Sequence, residues 1–265
     1  MQKNVHSDQV VSRNSLTSGV LSLSAAAAII GPLVYVLVTL FHPPGADANN
    51  HPVVFREYAA SETWIAIHLV QLAAMVAGLI GIAGVAASML RLQTNGAALA
   101  LPAIALAIAS IPLAAVLQAV DGISQKRAVD AWVAAGGAVD SPAFATANTM
   151  RWLEQGFNAV LYLTLGLAVI LIGAAMARGA AYPRWLGWIG GAIGVAILIN
   201  AILVAETGFS PSAQIWILAR NPILWIWTVV AGVLMWRRRR LADATPATSS
   251  RDADQAAIGR RSSVA

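Results

Sequence analysis

The sequence predicts an all-α, polytopic membrane helix bundle with six transmembrane helices. Three observations carry that prediction. The 265 residues are 58% hydrophobic and only 11% charged, whereas roughly a quarter of residues are charged in soluble domains. Six apolar runs reach the ~20 residues that a helix needs to cross about 30 Å of hydrocarbon. The basic residues behind the net charge of +5 gather at the ends of those runs. They do not interleave with aromatics on a solvated face, which argues for membrane topology and against nucleic acid.

The first run, 19–41, follows Lys3 and Arg13. It is longer than the roughly 7–15 residues of a signal-peptide core, and Ala46-Asp47-Ala48 is a poor cleavage site, so it reads as a retained span. The second, 66–90, carries Ala74, Gly78, Gly81 and Ser88 near helical three-to-four spacing and ends at "RLQTNG". Such small residues let helix backbones approach closely in lipid. The third, 97–119, tolerates Pro102 and Pro112 as membrane helices do. A long connection follows, with a short helix around Trp132 stopped by Gly136-Gly137, and Ser141-Pro142 opens the next helix. That short helix either caps the polar layer described below or rests on the membrane surface. The fourth run, 155–177, ends at "RGAAYPR". The fifth, 185–206, has Gly187, Gly190, Gly191 and Gly194 and ends at "GFSPS", where Ser210 caps and Pro211 starts the sixth run, 213–236. The membrane domain is thus expected at 19–240, between tails at 1–18 and 241–265. Both tails are too poor in bulky apolar residues to fold alone and are expected to be disordered.

An even number of spans puts both termini on one side. That side holds Lys3, Arg13, Arg91, Arg178, Arg184, the block Arg237, Arg238, Arg239 and Arg240, and Arg251, Arg260 and Arg261. The positive-inside rule makes it the cytoplasmic side, and Trp64, Trp152 and Trp216 opposite Trp185, Trp188 and Trp236 suit two interfacial belts. The arginine block is either a topology anchor or a site for anionic lipid headgroups.

Counting about 20 residues outward from each basic end brings the polar residues into one layer near the outer surface. The ligand-binding candidates are His68 and Gln71, Gln118 and Asp121, Arg151, Glu154 and Asn158, Asn200 and Glu206, and Arg220 and Asn221. Arg151, Glu154 and Asn158 share one helix face at i, i+3, i+7, and His68–Gln71 and Gln118–Asp121 are i, i+3 pairs. If these faces converge, they form a vestibule open to the outside, with Glu154, Glu206 or Asp121 neutralising Arg220. If they do not, each residue simply sits at headgroup level. Pro222 removes the amide bond to the carbonyl of Leu218, so a kink or short unwinding is expected beside Arg220. The inner halves contain Ser88, Ser110, Tyr162, Thr164 and Thr228 and no charge, which argues against a coupled ion transporter.

With no cysteine, disulfides, thiolate metal sites and cysteine nucleophiles are excluded. No metal or cofactor is expected, because His42, His51 and His68 lack HxxxH or H-E-x-x-H spacing, and "FHPPG" and "NHPVV" read as Pro-rich loop segments. His68 with Glu154 or Asp121 could act as acid and base on a lipid, but G-x-S-x-G is absent. At "RWLEQGFNAVLYLTLGLAVILIGAAMARGAAYPRWLGWIGGAIGVAIL" the chain resembles a family of six-helix bacterial membrane proteins classified as a domain of unknown function. The resemblance lies in the polar start of the fourth helix, the Pro183-to-Leu186 hinge and the Gly-rich fifth helix. It implies a bacterial plasma membrane and no particular reaction. The leading expectation is an outward-facing polar pocket for a small molecule, lipid headgroup or partner. A lipid-modifying membrane enzyme is second and a transporter third.

Overall fold

The computed structural model describes residues 2–42, 47–91 and 95–244, with side chains placed for residues 18–42, 47–91 and 95–238. Among them the chain is all-helical: α1 (Gln2–Thr39), α2 (His51–Ala60), α3 (Trp64–Arg91), α4 (Ala97–Gln118), a π-helical turn (Ala119–Gln125), α5 (Lys126–Ala134), α6 (Pro142–Arg178), α7 (Arg184–Thr207) and α8 (Pro211–Ala244). Six helices are long and apolar enough to cross a membrane: Ser18–Thr39, Trp64–Arg91, Ala97–Ala134, Pro142–Arg178, Arg184–Thr207 and Pro211–Arg238. The chain is therefore built as a multi-pass membrane protein. Each expected span is contained in one of these helices or overlaps it closely. Helical backbone also continues to Gln2 and Ala244, into segments expected as disordered tails. Extending an existing helix avoids the cost of nucleating one. Residues 245–265 lie outside the described residues.

The six long helices form a ring in chain order. α1 packs on α3, α3 on α4, α4 on α6, α6 on α7 and α7 on α8, and α8 closes onto α1. Small residues set two of these seams. Along α1 and α3, a β-carbon at Gly81 would lie 2.4 Å from the α-carbon of Ala28, one at Gly84 2.2 Å from Ser24, and one at Gly31 2.5 Å from the amide nitrogen of Gly78. Along α6 and α7, a β-carbon at Gly173 would lie 2.4 Å from the nitrogen of Gly191, and one at Gly187 2.5 Å from that of Ala177. Packing, not hydrophobic drive, joins helices in lipid, so these contacts account for the glycine spacing. At the basic end the interior is filled by side chains such as Leu79, Ile82, Met89, Ile172, Met176 and Trp227.

The opposite end carries a cap. α6 has 37 residues, about 55 Å at helical rise, well beyond one hydrocarbon thickness. α4 likewise continues through the π-turn into α5, so the helix around Trp132 extends a long α4–α6 hairpin. Gly136 (φ 96°) and Gly137 (φ 68°) end it, in a backbone region that favours glycine. Ser141 then caps α6 by accepting from the amide of Phe144 at 3.2 Å. α2 packs on α5. The Pro-rich sequence predicts loop here, but proline in a first helical turn is pre-organised for helix, and Val54, Phe55 and Tyr58 then fall on its buried face. With Trp64, Val129, Trp132 and Phe144 they form an aromatic core separate from the membrane core. The helix around Trp132 packs on α2, the π-turn and α6.

Trp132 is fully buried, and its indole N–H donates to the carbonyl of Ala138 at 2.9 Å. Trp132→Ala should destabilise the cap by about 3–5 kcal/mol. Hydrogen exchange should show it as lost protection over residues 51–60 and 126–134, while the helices at the basic end stay protected.

Candidate functional site

The polar residues converge inside the capped end of the ring, from α1, α3, α4, the π-turn, α6, α7 and α8. Nearest the cap, His68 is 1% exposed. Its Nδ1 donates to the carbonyl of Trp64 at 2.7 Å and its Nε2 meets Asp121 Oδ2 at 3.1 Å. Both ring nitrogens are thus engaged by oxygen partners, so the imidazole has no free nitrogen for use as a general base. The Trp64 indole N–H donates to the Asp121 carbonyl at 3.0 Å. Gly122 allows this approach, since a β-carbon there would lie 2.4 Å from that of His68.

Beside this pair, Arg151 Nη1 donates to Glu154 Oε2 at 2.6 Å, and Nη2 donates to the Ala48 carbonyl at 3.2 Å. The guanidinium lies over the rings of Phe209 and Tyr58, 4.6 and 5.6 Å from their centroids. Burial pushes the Tyr58 phenol above its usual range, with the charge of Arg151 opposing, so it stays neutral. The two ion pairs interact electrostatically with each other. Tyr58 stacks on Trp64 at 4.0 Å, and the rings of His42 and His68 lie within 5 Å of Trp64. The expected open vestibule is thus roofed by the aromatic cap, a feature set by α2 and invisible while α2 was read as loop.

Deeper in the ring lies Arg220, 3% exposed. Its Nε and Nη2 both donate to Asn200 Oδ1, at 3.0 and 2.9 Å, and Nη1 donates to Asn221 Oδ1 at 2.7 Å. Its guanidinium carbon sits 4.0 Å from the centroid of the Tyr162 ring. Asn200 is held in turn by donating to the Ala213 carbonyl at 3.1 Å. The expected carboxylate partner is replaced by neutral groups. Asp121 and Glu154 are already taken by His68 and Arg151, and Glu206 is exposed near the end of α7, outside the cluster. Among the described residues no carboxylate lies within 4.0 Å of Arg220. α8 also runs through Pro222 as helix, so Asn221 serves Arg220 and not a freed carbonyl.

Gln71 is buried and donates to Thr39 Oγ1 at 3.1 Å, which links the interior to the exposed end of α1. Gln118 is buried with its Nε2 on the sulfur of Met75 at 3.3 Å. Asn158 is half-buried, one turn from Glu154 and from Tyr162. Every candidate except Glu206 is thus buried or half-buried in the bundle. Sequence reasoning missed Tyr58 and assigned Tyr162 to the inner half; the i, i+4 step from Asn158 to Tyr162 was the available signal. Among the described residues there is no group of three or more His, Asp or Glu placed to hold a metal ion.

Toward the basic end, Ser110 pairs with Thr164 at 3.0 Å and Ser88 with Tyr182 at 2.8 Å. Arg237 and Arg238 are exposed, and Arg238 lies over the Tyr182 ring at 5.4 Å. The side chains of Arg239 and Arg240 lie outside the described residues.

No family model, curated protein or solved structure matches the chain.

Proposed function

We propose that this is a bacterial plasma-membrane protein, with both termini cytoplasmic, that binds an anionic small molecule or lipid headgroup at the buried polar cluster beneath the cap. The carrying observation is Arg220. It is a buried cation whose polar contacts are two amide oxygens and an aromatic face. A guanidinium has five N–H groups, and three are engaged here. A buried unpaired charge is costly, and an anion bound at the two remaining N–H groups would neutralise it. Arg151 pairs with Glu154 and His68 with Asp121, so these charges compensate one another, and Arg151 Nε adds a buried donor without a partner.

The lipid-enzyme reading is weaker, because His68 has no free ring nitrogen. Transport is also weaker, because the basic half of the ring is packed with apolar side chains and its hydroxyls Ser88, Ser110, Thr164, Tyr182 and Thr228 bond to one another or to a backbone carbonyl. The test is thermal unfolding of the purified full-length protein in detergent. Dihexanoyl phosphatidylglycerol should raise Tm, by an amount equivalent to about 2.7 kcal/mol at a hundredfold excess over Kd, whereas dihexanoyl phosphatidylcholine should not. In Arg220→Gln the increment should vanish. An equal shift with the zwitterionic lipid, or one that survives in the variant, would sink the proposal.

A further inference from the structure

The cluster's charge count and its unpartnered atoms narrow the ligand further, an inference that rests on the anion-binding reading above. Two buried guanidinium ions, Arg151 and Arg220, face one carboxylate, Glu154, while His68 and Asp121 form a pair that is neutral overall whichever of the two holds the proton. One positive charge is left over, and one negative charge balances it. A dianionic phosphate monoester would overshoot, and a zwitterionic headgroup would leave the excess in place.

The neutral groups point to what else the ligand carries. Among the described residues, Gln118 Oε1 and Asn158 Oδ1 are buried acceptors with no hydrogen-bond partner. Gln118 is 7% exposed, and its amide nitrogen is already turned to Met75. Asn158 occupies the same face of α6 as Glu154 and Tyr162, between the Arg151 pair and Arg220. A buried acceptor left unsatisfied loses the full cost of its desolvation, and with no excess of negative charge here it calls for a neutral donor. Hydroxyl groups fit that need, and an ammonium would add to the existing positive excess. Thr39, exposed at the end of α1, accepts from Gln71 at 3.1 Å.

We infer that the cluster selects a hydroxylated monoanion, of the chemistry of a glycerol phosphodiester: Arg220 holds the acid, and Gln118 and Asn158 accept from the hydroxyls. That chemistry is presented by a phosphatidylglycerol headgroup or by a soluble polyol phosphodiester.

Three short probes separate the cases, each titrated against the full-length protein in detergent. These are dihexanoyl phosphatidylglycerol, dihexanoyl phosphatidylmethanol, which has the same charge without hydroxyls, and tail-free glycerophosphoglycerol. Phosphatidylglycerol should bind at least about tenfold tighter than phosphatidylmethanol, the worth of roughly one buried hydrogen bond. In Gln118→Leu and Asn158→Leu that preference should shrink toward one while Arg220-dependent binding persists. Wild-type discrimination suffices should either variant fail to fold. Competition by glycerophosphoglycerol at similar affinity supports the inference with a soluble source, and its failure to compete supports it with a lipid source. Equal affinity for phosphatidylglycerol and phosphatidylmethanol overturns the hydroxyl assignment, with water meeting the amide oxygens, and leaves the anion site standing. Absence of Arg220-dependent binding to either lipid removes both readings.

Discussion

Replacing Gly173 with leucine should prevent α6 and α7 from docking and abolish recovery of folded protein. A β-carbon at this position would lie 2.4 Å from the nitrogen of Gly191 and 2.7 Å from the carbonyl oxygen of Gly187. Those are backbone atoms, which cannot rotate away as a side chain can. The expected cost lies at or above the roughly 1–3 kcal/mol typical of over-packed cores, because the two helices must separate along their whole seam. Gly191→Leu is the matched control. A β-carbon there meets nothing within 4 Å, although Gly191 belongs to the same glycine-rich stretch. Size-exclusion profiles in detergent should show a monodisperse peak for Gly191→Leu and aggregate or no protein for Gly173→Leu. Equal behaviour of the two would refute the seam described here.

Glu154→Ala should be nearly as damaging, for an electrostatic reason. The carboxylate is the anionic partner that Arg151 bonds, at 2.6 Å, and both side chains are buried. Removing it leaves Arg151 as a buried cation without its carboxylate. Breaking a buried pair from one side typically costs about 3–5 kcal/mol. The double replacement Arg151→Met with Glu154→Leu keeps the volume and removes both charges, so it should recover most of the lost stability, as buried pairs replaced by apolar groups often do. Thermal unfolding of the two variants in one detergent checks this. A double variant no more stable than Glu154→Ala would show that Arg151 matters for more than its charge.

How much of this was legible in the sequence varies with the physical cause. Span existence was legible because the membrane demands about 20 apolar residues per crossing, a local property. The i, i+3, i+7 placement of Arg151, Glu154 and Asn158 was legible because a helix fixes which side chains share a face. α2 was lost because His51-Pro52 signals a turn as well as a helix start, and only burial of Val54, Phe55 and Tyr58 against Trp132 distinguishes them.

Pairing was a different matter. Arg220 had three carboxylates within plausible depth, yet it meets Asn200, because Asp121 is committed to His68, Glu154 to Arg151, and Glu206 faces outward. Each of those commitments spans separate helices or depends on a rotation about a helix axis, which composition does not encode. The glycines divide the same way. Sequence placed Gly187, Gly191 and Gly194 on one helix, and only the α6 seam shows that Gly187 and Gly194 have no room for a side chain while Gly191 does. By itself, then, the sequence determined a six-helix membrane bundle with its polar groups gathered toward one end, because hydrophobicity and helical periodicity act along the chain. The tertiary structure decided that the helices close into a ring, that a cap covers the polar end, and that one arginine is left without a carboxylate, because close packing and charge pairing act between segments distant in sequence.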